Sequence, residues 1–518
     1  MKKTSRRELP SKLTSFRLLL LYAAPLVLYF SYYPRLLLAS SPSTNYELSL
    51  PLLWLALFAL LSLKDFFLHL RYLFHEKSQR KYLLFYLFPL YLSLSALWSP
   101  NPLRAVLTSG ILWCLIISAV GILFNLKNQS AFRKDLLGKT FLLSAVLLSL
   151  FCWLQCFLDV FLWSPLNTVE IPRTLTLLCP GCTSRVLGFP RPSGFAIEPQ
   201  FMDNLLLAPT FYSFYLYFTC QNFTDRKQKL LSALLPTFLL TTFFLVFSRG
   251  AIYSFGVGFL VFLFLSWRKS QISIRRIFSS LVICFFSLAL CLVAQGFFAS
   301  SSATNDNFYT GIKTSLSQLS LGKIELPNST TASPSTDSTA PSDSPAPSPV
   351  FSGYVAESTD IRLNLSRLAL ESSTETPTSL IFGYGLGSAG TVLYRQGKTD
   401  STKEIVQNEY LSLLLETGLL GLFLLVLSLV LLIHIFLTSK TSSRTLKQSS
   451  KQVAKATQPA STLKQDQLFL SSLCLSFSLT LLFFSGLPNA LHLYLFPVLL
   501  YTFMPFSSQT RTGHKPKS

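Results

Sequence analysis

Apolar residues along this chain gather into runs of roughly 17 to 25, the length a helix needs to cross a hydrocarbon core about 30 Å thick. Such runs recur near 18–34, 50–63, 82–98, 105–125, 140–163, 203–219, 230–247, 251–267, 277–299, 409–437, 468–487 and 489–506. They predict an all-α polytopic membrane protein with about 12 transmembrane helices. The polar stretches between them are mostly short, and the two long ones fall at about 164–202 and 300–408. Long connections are where binding surfaces concentrate, so the working face is expected on the side they share. In the second, residues 328–349 are almost entirely Ser, Thr, Pro, Ala and Asp, a composition that buries too little apolar area to order itself and reads as a flexible tether. Beyond it, Ile361, Leu365, Leu368 and Ala369 recur at helical spacing, predicting an amphipathic helix over about 355–375 that lies along the membrane surface. The expected organisation is a membrane domain of nine spans (1–299, with its loop at 164–202), a large loop before the tenth helix (300–408), three further spans (409–506) and a tail (507–518).

Composition agrees with a lipid environment. Half of the 518 residues are apolar and only 13% are charged, a balance that leaves a water-soluble chain with very large exposed apolar patches. The distribution of charge adds orientation, because short flanks rich in Lys and Arg stay in the cytoplasm. The N-terminal segment carries Lys2, Lys3, Arg6, Arg7, Lys12 and Arg17, and every second connection repeats the theme, for example Arg133/Lys134/Lys139, Arg226/Lys227/Lys229 and Arg268/Lys269/Arg275/Arg276. Together with the C-terminal tail these stretches hold 31 of the 44 basic residues and 6 of the 23 acidic ones. Both termini are therefore expected in the cytoplasm and both long loops outside it, and the net charge of +21 reports topology rather than a nucleic-acid partner. The first apolar run is read as a retained span rather than a cleaved signal peptide. Most of the nine cysteines fall within spans; Cys179 and Cys182, in CPGC, sit together in the first long loop, where a local disulfide is plausible and a zinc site lacks two further ligands nearby.

Arginine is scarce outside the membrane, and among those at span boundaries the candidates are Arg191, Arg249, Arg362 and Arg367. Arg249 lies in SRG (Ser248 to Gly250), at a tight turn between two spans, where a guanidinium near hydrocarbon needs an anion. Its planar fork suits two phosphate oxygens at once, and a lipid-linked diphosphate presents them at this depth; snorkelling to headgroups or pairing with a structural carboxylate is the plainer use. FGYGLGSAG (Phe382 to Gly390) has glycines spaced as in a dinucleotide fingerprint, but no βαβ unit surrounds them. A turn that doubles back near the membrane surface fits better, its bare N–H groups available to an anion. Next comes IVQNEYLSLLLETGLLGL, in which Glu409 and Glu416 are seven residues apart on one helix face, roughly 10 Å along the axis. Glu409, at the mouth, suits a base or a sugar ligand; Glu416, two turns deeper, has to be paired or protonated, and helix packing or pairing with an Arg is its expected use.

RPSGFAIEPQ, the SRG turn, an Arg-bearing helix before FGYGLGS, and then QNEYLSLLLETGLLG together resemble the O-antigen ligase and polymerase family of bacterial membrane glycosyltransferases, most strongly over 190–435. The resemblance implies a glycan passed from a polyprenyl diphosphate carrier to an acceptor hydroxyl on a glycan, lipid or protein, at the outer face of the cytoplasmic (inner) membrane, without a metal or cofactor. It also implies that Arg191, Arg249, Arg362 and Arg367 are the candidates to hold the diphosphate leaving group; Asn408 and Glu416 are further candidates for substrate binding. One departure stands out. The family usually carries His then Asn where this chain has Gln407 and Asn408, and an amide takes no proton at a useful pH. Either Glu409 or another group such as His492, near the outer end of the last span, substitutes, or acceptor activation is weak, or the protein binds without catalysis; His69, His75, His434 and His514 fall toward the cytoplasmic side. A lipid-linked oligosaccharide flippase or other 12-span transporter is the alternative, disfavoured by the scarcity of ionisable residues in the spans. The cell-wall polymerase family fits the SRG and QNEYL motifs less well.

Overall fold

The computed structural model describes residues 12–40, 45–160, 183–184, 189–219, 226–269, 271–301, 308–319, 352–438, 460–484 and 490–504. The CPGC cysteines and the Ser/Thr/Pro-rich 328–349 lie outside them. The described chain is dominated by sixteen α-helices: α1 Lys12–Tyr29, α2 Leu50–His75, α3 Leu87–Ser95, α4 Pro102–Val120, α5 Lys134–Leu158, α6 Pro199–Thr219, α7 Arg226–Val246, α8 Arg249–Arg268, α9 Ile274–Ser300, α10 Phe308–Leu319, α11 Ser352–Ser373, α12 Pro377–Phe382, α13 Ala389–Arg395, α14 Glu409–Thr438, α15 Ala460–Thr480 and α16 Leu491–Phe503. Two short antiparallel hairpins, β1 (Arg35–Ser40) with β2 (Asn45–Ser49) and β3 (Thr183–Ser184) with β4 (Arg191–Pro192), are additions that the apolar pattern did not announce.

Among the described residues, eight helices are long and apolar enough to cross a membrane: Lys12–Tyr29, Leu50–His75, Gln79–Trp98, Pro102–Asn125, Lys134–Leu158, Arg249–Arg268, Ile274–Ser300 and Glu409–Ser428. The apolar parts of α7 and α16 are shorter, Ser232–Val246 and Leu491–Phe503. The remaining two predicted runs fall on α6 and α15. The reason α6 lacks the apolarity of a lipid-facing span is its position: nearly every residue from Met202 to Tyr215 is buried among other helices, so Asp203, Asn204, Thr210 and Ser213 meet protein instead of lipid. By contrast α9 exposes Phe278, Phe285, Phe286 and Val293 along one side, a surface that suits acyl chains and not water.

Helix pairs α6 with α7, α8 with α15, α7 with α9 and α2 with α4 make the most extensive contacts. The main core is aromatic. Phe211 on α6 meets Phe255, Phe259 and Phe262 of α8 and Phe469 of α15 with ring centroids 5.4 to 6.4 Å apart, mostly edge to face. Lipid tails are as apolar as these rings, so burial alone does not drive the association; shape fit and ring geometry, about 0.5–1.5 kcal/mol per pair, favour this register over others. Small residues bring α8 and α15 closer still, since a side chain at Gly258 would collide with Ser476.

One end of the bundle collects basic groups: Arg17 pairs with Asp65 inside it, Arg276 donates to the Phe218 carbonyl at 2.9 Å, and Lys127 lies 4.2 Å from the Tyr501 ring centre. The other end gathers both hairpins, the starts of α6, α8, α14 and α16, and the helices α11 to α13, and it is there that the sequence candidates meet.

Candidate functional site

The SRG turn is built by two side chains from elsewhere. α7 stops at Val246, Phe247 adopts a left-handed backbone with φ 59°, and α8 starts at Arg249. Such a break strands carbonyls and N–H groups in an apolar setting, where each needs a partner. Arg191, from β4, donates through Nε to the Val246 carbonyl at 3.1 Å and through Nη2 to the Phe247 carbonyl at 2.8 Å. Asp203, buried near the start of α6, accepts the Ser248 N–H at 2.6 Å. The clamp fixes Arg249 as the half-buried first residue of α8, where the positive end of the helix dipole adds to its own charge. Arg191 therefore spends donors on the turn itself, a different duty from the phosphate contact expected of it.

A hub forms where α15 ends. Gln200, beside Pro199 at the start of α6, donates to the Phe483 carbonyl at 2.7 Å and accepts from Arg362 Nη2 of α11 at 3.0 Å. Phe483 also presses on Gly250, where an added Cβ would sit 2.8 Å from that of Phe483. Two residues earlier, the Leu481 carbonyl accepts the Glu409 N–H at 2.9 Å. Residues 200, 250, 362 and 409, spread over more than two hundred positions of sequence, are thus tied to one short stretch of chain. Arg367 is apart from them: its side chain is 69% exposed, 3.5 Å from Glu371 in an i,i+4 pair and 3.2 Å from Asn364 Oδ1.

At the start of α14, Asn408 caps the helix, its Oδ1 accepting the Leu411 N–H at 3.1 Å. Gln407 is half-buried and its Oε1 accepts no hydrogen bond among the described residues. Glu409 stands close enough to Tyr410 and Tyr494 for its charge to act on both phenols. His492 is away from this group, buried at the head of α16 and lining a separate cavity with the first hairpin.

The glycine loop answers a different expectation. Its N–H groups are not left open for an external anion: Gly387 donates to Glu416 Oε2 at 2.8 Å, Ala389 to Glu416 Oε1 at 3.2 Å, and Gly385 to the Glu416 carbonyl at 2.7 Å. Arg104, at the start of α4, is near enough to add its charge. The nest that the sequence suggested is filled by the protein's own carboxylate, so Glu416 holds the loop on α14, in the packing and Arg-pairing place expected of it. Asp203, Gln200 and Phe483 were missed by sequence reading; an acidic residue at the edge of an apolar run was the available signal for Asp203.

No curated protein matches the chain. Residues 234–426 match the family model described as O-antigen ligase, a segment running from α7 through the SRG turn, α11 and the glycine loop to the upper part of α14. Over that segment the chain is similar to the O-antigen ligase family, and with eight helices among the described residues long and apolar enough to cross a membrane, the match supports a membrane protein of glycan-transferring, ligase-like kind.

Proposed function

We propose that the protein transfers or polymerises a glycan from a polyprenyl-diphosphate-linked donor onto an acceptor hydroxyl, at the extracytoplasmic face of the bacterial inner membrane. The observation that carries this reading is the convergence of Gly250, Gln200, Arg362 and Glu409 on the end of α15. It brings two guanidinium-bearing segments and one carboxylate-bearing helix start to a single short stretch of chain.

In this reading Arg249 and Arg362 receive the diphosphate. As the acceptor oxygen attacks the anomeric carbon, the bond from that carbon to the diphosphate oxygen breaks and its electron pair stays on the leaving group. Fixed guanidinium donors and the α8 N-terminus stabilise that growing charge without reorganising. Arg191 and Asp203 keep Arg249 in place. The acceptor proton passes to Glu409, since Gln407 has no base to offer. Exposed Arg367 draws anionic lipid carriers toward the site.

The test is transfer in vesicles supplied with a polyprenyl diphosphate oligosaccharide. Arg249→Ala should abolish formation of the new glycosidic bond while the protein still folds and inserts; unchanged transfer refutes the role. Movement of labelled lipid across the bilayer with no new bond would instead identify a flippase.

A further inference from the structure

The first hairpin and the last helix enclose a cavity that none of the motifs above explains. Its walls combine Ser31, Tyr32, Arg35, Glu47 and Ser49 from the α1–β1–β2–α2 connection with His492 from α16, over an apolar floor that includes Leu28 and Leu52. The volume is about 30 Å³, room for one or two water-sized polar groups. His492 is 1% exposed and its Nε2 has no hydrogen-bond partner, and the Ser31 hydroxyl is likewise buried without one. A buried polar atom left unsatisfied is costly, so two of them facing one cavity mark a place where something else supplies the partners.

The charges narrow down what that is. Arg35 is ion-paired with Glu47 and also lies over the Tyr32 ring at 4.2 Å, so the guanidinium is already neutralised and an anion gains little. The same pairing leaves nothing for a cation. An acyl chain would bury all six polar side chains without satisfying any. What remains is a neutral group that both donates and accepts, which is the chemistry of a hydroxyl, and one or two hydroxyls of a ring fit the volume and meet the unpartnered Ser31 and His492 atoms. The hairpin is also anchored to the site end: the Tyr32 and Tyr33 N–H groups both donate to the Phe195 carbonyl, 3.1 and 2.9 Å away, in the loop that follows Arg191.

We propose that this cavity is a neutral-sugar subsite, in which ring hydroxyls of a bound glycan enter between Ser31, Glu47 and His492. The class of ligand rests on the glycan-transfer reading; the cavity and its unsatisfied atoms do not. The probe is a diazirine-bearing methyl N-acetylglucosaminide, used to photolabel the full chain in nanodiscs with mapping by mass spectrometry. Labelling is expected on peptides containing Tyr32 to Glu47 or His492, competed by unlabelled methyl glycosides and not by inorganic diphosphate. His492→Phe, Glu47→Gln and Ser31→Leu should each reduce it about fivefold or more, the affinity equivalent of one lost hydrogen bond. Ser31→Leu fills the cavity without touching the Arg35–Glu47 pair, which keeps the test decisive if Glu47→Gln loosens the hairpin. Arg249→Ala should leave labelling intact whether or not it abolishes transfer, which separates this proposal from the previous one. In the transfer assay the cavity variants raise KM for the acceptor if the sugar is the acceptor's and for the donor if it is the donor's. Labelling absent from both peptides, unmoved by all three variants, or displaced by diphosphate overturns the proposal.

Discussion

A guanidinium at the edge of a membrane must find acceptors, and Arg191 and Arg249 are placed to do so differently. Arg191 is turned inward onto the Val246 and Phe247 carbonyls, whereas Arg249 stands at a helix start. Both read alike in sequence because nothing in an arginine's neighbours says whether backbone acceptors will be within reach. The turn that separates them depends on Asp203. Asp203→Ala leaves the buried Ser248 N–H unpaired and should cost about 1–3 kcal/mol, read as a lowered melting temperature in detergent, while Asp203→Asn, which keeps an acceptor, should lose less. Transfer should fall with it, since Arg249 moves with the turn. The base is a second residue-scale question. If Glu409 takes the acceptor proton, Glu409→Gln should slow transfer by about 10²-fold or more, the usual reach of general base catalysis. Adding Gln407→His to that variant should restore part of the rate and bring in a pH limb near the ordinary imidazole value of about 6.5. A double variant no faster than Glu409→Gln at any pH would remove both residues from proton transfer.

Helices and loops of this bundle were legible to different degrees, and the reasons are local. A run of apolar residues favours a helix, so α5, α8 and α9 lie over their runs, whereas α1 begins at Lys12 and stops at Tyr29 and α2 continues past its run to His75. The amphipathic stretch near 355–375 is likewise α11, with Leu365 and Ala369 turned inward. The two hairpins carry no such signal, because their residues answer to cross-strand pairing and to the Phe195 loop. The glycine loop was visible as a turn, but not its partner, since its fit is backbone against backbone. Gly418, with φ 66°, kinks α14 so that a Cβ there would strike the Ile381 carbonyl, and Gly383, with φ 70°, meets the Glu416 backbone in the same way. Gly418→Ala should therefore destabilise by at least about 1–3 kcal/mol from backbone strain alone and free the 382–390 loop for proteolysis. The exposed rim of this element responds to pH. Lys398, hydrogen-bonded to Glu375 at 2.8 Å, holds that carboxyl below its ordinary value. A lowered folded value means stability that is complete above about 4.5, the unperturbed glutamate value, and lost as pH falls through the folded value. Solvent screening keeps it within about 1 kcal/mol. Protection factors of the 372–398 amides, taken against the intrinsic exchange rate at each pH, should fall on acidification in the native chain, and Lys398→Met should remove that dependence.

For the molecule as a whole, the packing and the charge pattern make one joint statement that neither makes alone. The counts of Lys and Arg assign alternate connections to the cytoplasm without saying that those connections meet in space. The bundle brings the hairpins and the starts of α6, α8, α14 and α16 to one end and Arg17, Lys127 and Arg276 to the other, a separation that follows if a bilayer lies between. The functional reading inherits this polarity, because a carrier lipid presents its diphosphate to only one end. Impermeant thiol labelling reads it directly. In a background with the nine native cysteines replaced, Arg367→Cys, on the exposed face of α11, should react in intact spheroplasts. Lys269→Cys, just past the far end of α8, should react only after permeabilisation. The α8 helix of 20 residues is about 30 Å long at 1.5 Å per residue, enough to hold Arg249 and Lys269 on opposite sides of the hydrocarbon, so the second result also fixes the side on which Arg249 lies. If Lys269→Cys reacted first, Arg249 would face the cytosol. The site would then have to draw on a cytoplasmic donor, and every role assigned above to the outer leaflet would move with it.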